Sequence, residues 1–182
     1  MEMKLSSILK DHNIFITSDQ HFGHANIIKH ANRPHASVLE MDLDLIARWN
    51  SVVSPNDLVI HLGDFCLGNA KMAASYWSQL NGDMWILNNS WHHDCRWLPH
   101  FASIRTATGG LTLWDPLTVF NFDDHLKITI CHYPMWSWEG SYYGMPMFHG
   151  HTHLTVGTGI ENSYNVCVEA TDYFPVPLTN YL

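Results

Sequence analysis

The apolar positions of the first half of the chain change period repeatedly. Ile14-Phe15-Ile16-Thr17 is a short apolar run followed by the polar stretch Ser18 to His24, which predicts a buried strand and a loop. Ser37 and Glu40 form a capping-box pattern. Met41, Leu45, Ile46, Trp49 and Val53 then recur on one helical face, so the spacing predicts a helix that Ser54-Pro55-Asn56-Asp57 stops. Leu58-Val59-Ile60-His61-Leu62 predicts a second strand, ending at Gly63-Asp64. Asn69 is placed to cap a second helix with Met72, Tyr76 and Leu80 as its buried stripe, and Asn81-Gly82 turns the chain into a third strand, Met84 to Leu87. This β-α-β-α-β alternation implies a parallel sheet covered by helices.

The second half reads differently. Leu117 to Phe122 and His125 to Cys131 have strand patterns with Asp123-Asp124 as the turn between them, and Met145 to His149 and Tyr164 to Val168 predict two more. Helical periodicity is scarce there. The simplest outcome is an α/β fold in which a second sheet packs against the first, within a single domain spanning 1–182.

Composition narrows the function. Nine Lys and Arg against 17 Asp and Glu give a net charge of −8, which speaks against a general binder of nucleic acid or anionic membrane. No apolar run approaches the roughly 18 residues of a membrane span, and Met1 to Lys10 has no signal-peptide core. Cys66, Cys95, Cys131 and Cys167 form no C-x-x-C pair, so they predict core filling in a reduced, cytoplasmic protein. The anomaly is histidine, 14 of 182 residues, more than Lys and Arg together.

Those histidines fall where strands end. Asp19-Gln20-His21 follows the first strand and Gly63-Asp64 the second; Asn88-Asn89-Ser90-Trp91-His92-His93-Asp94 follows the third. His132 follows Cys131, and Gly150-His151-Thr152-His153 follows His149. Open α/β sheets build their sites at the carboxyl ends of strands. About seven O and N donors are too many for one tetrahedral zinc, but suit two ions about 3.5–4 Å apart that share a carboxylate. Asp64, placed by a glycine on a central strand, is the natural bridge. His151 and His153, at i and i+2, would face one way in extended backbone. Donors of this kind, without thiolate, suit Mn, Fe, Zn, Co or Ni.

In this order the motifs resemble those of the calcineurin-like metallophosphoesterases, and more closely those of a small bacterial and phage subgroup. The matching segments are Ser18 to Ile28, Asn32-Arg33-Pro34, His61 to Phe65, His132 to Met135, Gly150 to His153 and Asp172-Tyr173-Phe174-Pro175, nearly the length of the chain. The resemblance implies a sandwich of two mixed sheets flanked by helices. It also implies a dinuclear phosphoesterase in which a hydroxide shared by the metals attacks phosphorus in line, more readily a phosphodiesterase than a monoesterase. By the same resemblance Asp19, His21 and His153 would hold one metal, His132 and His151 the other, and Asp64 would bridge.

One motif departs from the family's G-N-H-D, whose Asn binds metal and whose His protonates the leaving group. Either Asn89 is the ligand and an inserted stretch presents His92 or His93 as the acid, or His92 is the ligand and His93 the acid. The altered loop also keeps open a non-catalytic scaffold of the same fold. His24, Arg33 and Arg96 lie in or beside matched motifs and are candidates for the substrate phosphate. His149 is a candidate support for the ligands. Trp136, Trp138, Tyr142 and Tyr143, between two ligand loops, could stack a nucleobase or simply pack the loop. The expected substrate is a small phosphoester, with nucleotides among the candidates.

Overall fold

A computed structural model describes residues 4–88, 93–100 and 111–182. Two mixed sheets form its frame. In the first, β1 (Ile14–Thr17), β2 (Leu58–His61), β3 (Asp83–Leu87) and β4 (Leu111–Trp114) run parallel in the order β4-β3-β2-β1, and β9 (Val176–Pro177) closes the β1 edge antiparallel. In the second, β5 (Leu117–Asn121) pairs antiparallel with β6 (Lys127–Cys131). Strands β7 (Met147–His149) and β8 (Ser163–Asn165) then follow in parallel.

Strands β1 and β2 are buried on both faces, which is why they read as continuous apolar runs. Ile14 and Ile16 of β1, with Leu58 and Ile60 of β2, pack between the sheets against Phe120, Ile128, Ile130 and Phe148. Phe15 and Val59 face the other way, against the helices α3 (Val38–Val52) and α4 (Ala70–Trp77). Two shorter helical segments are α1 (Leu5–Ile8) and α2 (Ile27–His30). Helix α3 starts as expected: Ser37 Oγ accepts from Glu40 N at 3.2 Å, and Glu40 Oε2 accepts from Ala36 N at 2.8 Å, a reciprocal cap worth about 1 kcal/mol. Asn69 caps α4, but the buried stripe there is one residue away from the expected one. Ala73 and Trp77 face the core, and Met72 is 39% exposed. The short strands β4 and β9 and the segment α1 were not foreseen from the pattern. Two-residue β9 ends in Pro177, which is tolerated because it lies on an edge.

Among the described residues, no helix is long and apolar enough to cross a membrane. All four cysteines are free, Cys66 and Cys167 within the core.

Candidate metal centre

The loops after β1 and β2 run side by side, joined by backbone hydrogen bonds. Asp19 N–H donates to Gly63 O (3.1 Å), His21 N–H to Asp64 O (2.9 Å), Phe22 N–H to Phe65 O (2.9 Å) and Leu67 N–H back to Phe22 O (2.9 Å). A buried side-chain chain adds to them: His61 Nδ1 accepts from Gly63 N–H at 3.0 Å, so its Nε2–H donates to Gln20 Oε1, whose amide donates to Thr17 Oγ1 at 2.8 Å. Burial drives the His61 pKa down to about 3, in keeping with that neutral tautomer. From the second sheet, Gly150 N–H donates to His132 O at 2.9 Å, and His151 N–H donates across the gap to Asp19 Oδ2 at 2.9 Å.

Asp19, His21, Asp64, His151 and His153 all have left-handed backbone, with φ of 66°, 54°, 57°, 68° and 50°. They are five of the nine such non-glycine residues described. Asp and His tolerate this region better than most, but each still costs of order 1 kcal/mol, and strain gathered in one place marks a functional site.

The donor atoms converge. His21 Nε2 lies 3.2 Å from His153 Nε2, 3.8 Å from Asp19 Oδ1 and 3.5 Å from Asp64 Oδ2. Asp19 Oδ1 is 3.6 Å from His153 Nε2, and His132 Nε2 is 3.6 Å from Asp64 Oδ2 and 4.0 Å from Asp19 Oδ1. Donors about 2.1 Å from a shared ion in tetrahedral array stand about 3.4 Å apart, so these separations fit a cation. Two groups able to hold one form side by side, Asp19–His21–His153 and Asp19–Asp64–His132. Asp64 Oδ2 faces a histidine of each.

The electrostatics fit the same occupant. Burial raises the Asp19 and Asp64 carboxyls above their usual range, holds His21 well below its own and lowers His132 to about 4. Buried acids that resist ionising beside buried imidazoles that resist protonating are the surroundings a dication relieves on both counts. Asp19 Oδ1 is itself buried and has no hydrogen-bond donor among the described residues, which costs free energy unless something positive takes it.

The remaining expected residues sort themselves by position. His24 and His93 form a third cluster with His21: the His93 ring lies 5.3 Å from that of His21 and 5.2 Å from that of His24, and His93 N–H donates to Asp64 Oδ1 at 3.1 Å. Asn89 and His92 lie outside the described residues. The His151 imidazole is not brought into either donor group. It is exposed and rests edge-on against Tyr133 and His132, with ring centroids 4.6 and 5.2 Å away. The expectation that i and i+2 face one cluster assumed extended backbone, whereas this turn is left-handed at both histidines. His149 is buried, with its Nδ1 3.1 Å from Gly150 O.

The Arg33 side chain has no exposed surface. Its guanidinium is buried beneath the β1 loop, donating to Asp19 O (2.7 Å), Gln20 O (2.8 Å) and Glu169 Oε1 (2.9 Å). A cation in a matched motif looked like a phosphate ligand; the fold uses it to hold the loop that carries Asp19 and His21. Arg96 is exposed, on the turn His93–Arg96.

Three further residues support the cluster, of which only Asp94, in the His93-Asp94 pair, lay in a stretch that the sequence singled out. Glu169 Oε1 accepts from His153 Nδ1–H at 3.0 Å, and the Cys167 thiol donates to Asp19 Oδ2 at 3.3 Å. Asp94, fully buried and pushed up to about 7 by that burial, accepts from Phe65 N–H and Cys66 N–H (both 3.0 Å) and Trp97 Nε1–H (2.9 Å). It thereby fastens the His93 turn to the Asp64 loop.

No protein-family model matches the chain. Its fold is shared with the protein of unknown function AQ665 from Aquifex aeolicus, at a TM-score of 0.67 and 20% identity over 93% of this chain and 97% of that one. A looser likeness, TM-score 0.44 and 21% identity over 85% of this chain and 82% of the other, is to a novel archaeal phosphodiesterase. At that TM-score the superposition assigns nothing. The uncharacterized protein MJ1445 of Methanocaldococcus jannaschii is 34% identical over 173 residues, 91% of this chain and 86% of its own length, and the chain belongs to the family of that archaeal protein.

Proposed function

We propose that the protein is a dinuclear metal-dependent phosphoesterase that hydrolyses a small phosphodiester. The observation that carries this reading is the convergence of Asp19, His21, Asp64, His132 and His153 in two adjoining donor groups with Asp64 between them. Asp19, His21 and His153 would hold one ion, and His132 the other, with Asp64 common to both. His151 joins the second group by turning its exposed ring off Tyr133, and Asn89 or His92 supplies the remaining ligand. Two divalent transition ions held there would supply Lewis acidity, lowering the pKa of an attacking water and neutralising charge on the phosphoryl oxygens.

The chain's own groups do the rest. Asp94, together with the bond that His93 N–H donates to Asp64 Oδ1, keeps His93 beside the donor cluster, where its imidazole would protonate the departing alkoxide. His24, beside it, offers a further ring nitrogen to a phosphoryl oxygen. Arg33 is engaged beneath the loop, so the site has no guanidinium from that motif for a long polyanion. Trp136, Tyr142 and Tyr143 are 88%, 93% and 80% exposed on the segment between His132 and His149, an arrangement suited to stacking the base of a nucleotide.

Elemental analysis after reconstitution with Mn²⁺ should approach two ions per chain, with hydrolysis of nitrophenyl and alkyl phosphodiesters. A ceiling of one ion in excess metal would sink the dinuclear reading. Two ions without turnover of any monoester or diester would leave a metal-binding scaffold.

A further inference from the structure

The donor side chains are held from behind by other groups. His132 Nδ1 lies 3.2 Å from Leu62 O. Behind Asp19 and His153 stands a three-residue segment from the far end of the fold, Cys167-Val168-Glu169. Its first side chain donates to Asp19 Oδ2, its middle N–H donates to Ser18 O at 3.1 Å, and its last side chain accepts from His153 Nδ1–H. Glu169 is nearly buried, and a single oxygen, Oε1, takes the His153 bond at 3.0 Å and two Arg33 contacts at 2.9 and 2.8 Å.

We infer that Glu169 is a positioning residue of the site: it fixes His153 as the Nδ1–H tautomer with Nε2 turned toward Asp19 and His21, while Arg33 locks Glu169 to the loop that carries those two. A carboxylate accepts only, so the proton between it and His153 must sit on Nδ1, leaving the Nε2 lone pair for a cation. Because Arg33 also donates to the carbonyls of Asp19 and Gln20, one buried ion pair sets the distance between His153, from the second sheet, and Asp19 and His21, from the first. The inference rests on the metal-binding reading above.

The experiment compares Mn²⁺ titrations of metal-free wild type, Glu169→Gln and Glu169→Asp by calorimetry. The Gln variant keeps the shape and removes the charge. The Asp variant keeps the ion pair with Arg33 but draws the oxygen back from His153, and it serves if the Gln variant does not fold. One of the two binding events should weaken by about 10–100-fold in either variant, with the other unchanged. Long-range ¹H–¹⁵N spectra of the metal-free protein at alkaline pH should show His153 protonated on Nδ1 in wild type and redistributed between its nitrogens in the variants. A loss of packing alone would not move that equilibrium. Wild type that takes up no Mn²⁺ overturns the metal reading and this assignment with it. Wild type that binds normally, with variants unchanged in both affinity and tautomer, overturns the assignment alone.

Discussion

The two sheets deliver their donors by different means. The first sheet presents Asp19, His21 and Asp64 on neighbouring loops whose backbones hydrogen-bond to each other almost residue by residue, so these side chains are placed by the same ladder logic as the strands below them. The second sheet presents His132, His151 and His153 on loops tied to the first-sheet loops through side chains: Asp19 Oδ2 holds His151 N–H, and Arg33, bonded to Asp19 O, holds Glu169, which holds His153. The first set is therefore pre-formed by the fold, whereas the second depends on how closely the two sheets' loops approach. A site divided in this way can lose its chemistry without losing its fold.

The sharpest way to break the contrast is at Gly150. A Cβ there would fall inside the contact radii of Asp19 Oδ2 and Ser18 Oγ, so Gly150→Ala must push the second-sheet loop off the first. The expected outcome is that Mn²⁺ uptake and phosphodiester hydrolysis both disappear while far-ultraviolet circular dichroism stays native. Wild-type metal binding in this variant would show that the close approach is not needed.

A smaller effect separates metal placement from proton transfer. His93→Ala removes neither donor group, so it should bind Mn²⁺ as wild type does. It should slow an alkyl phosphodiester by about 10²–10⁴-fold and a nitrophenyl ester far less, because general-acid help matters most for a poor leaving group. Equal losses on both substrates would move the acid role elsewhere.

The smallest expected effect concerns the pre-formed half. His61 has a folded pKa of about 3 against an ordinary 6.5, so between those values the unfolded chain binds a proton that the folded chain refuses. The stability from neutral His61 is thus fully present above pH 6.5 and drains away as the pH falls toward 3, by at most about 1.4 kcal/mol per pH unit. Urea midpoints of the metal-free protein from neutral to acid pH should trace this. His61→Asn, which can take the Gly63 N–H without titrating, should flatten the curve. An unchanged pH profile in that variant would clear His61 of the role.

What could be read from the sequence follows the same division. Asp19, His21, Asp64, His132 and His153 stood out because each is a donor type at a strand end, a local signal, and the structure gathers all five. Strand and helix placement was similarly legible wherever periodicity lasted several residues, as in α3, and failed at two-residue β9, where there is no period to see. Glu169 and Arg33 were not legible in their actual roles. They are 136 residues apart and meet only through the tertiary fold, and an arginine beside a matched motif looks the same whether it grips a phosphate or a loop carbonyl. The orientation of His151 was missed because the alternation rule holds only for extended backbone.

The distance in sequence between Asp19 and Cys167, 148 residues, has a consequence for how the protein is made. As the chain leaves the ribosome, Asp19, His21 and Asp64 emerge long before Cys167-Val168-Glu169 can close behind them. On the metal reading proposed above, the nascent chain would offer a divalent ion only an unbacked fragment of the donor set, and tight loading would wait until translation has delivered the last segment of the fold.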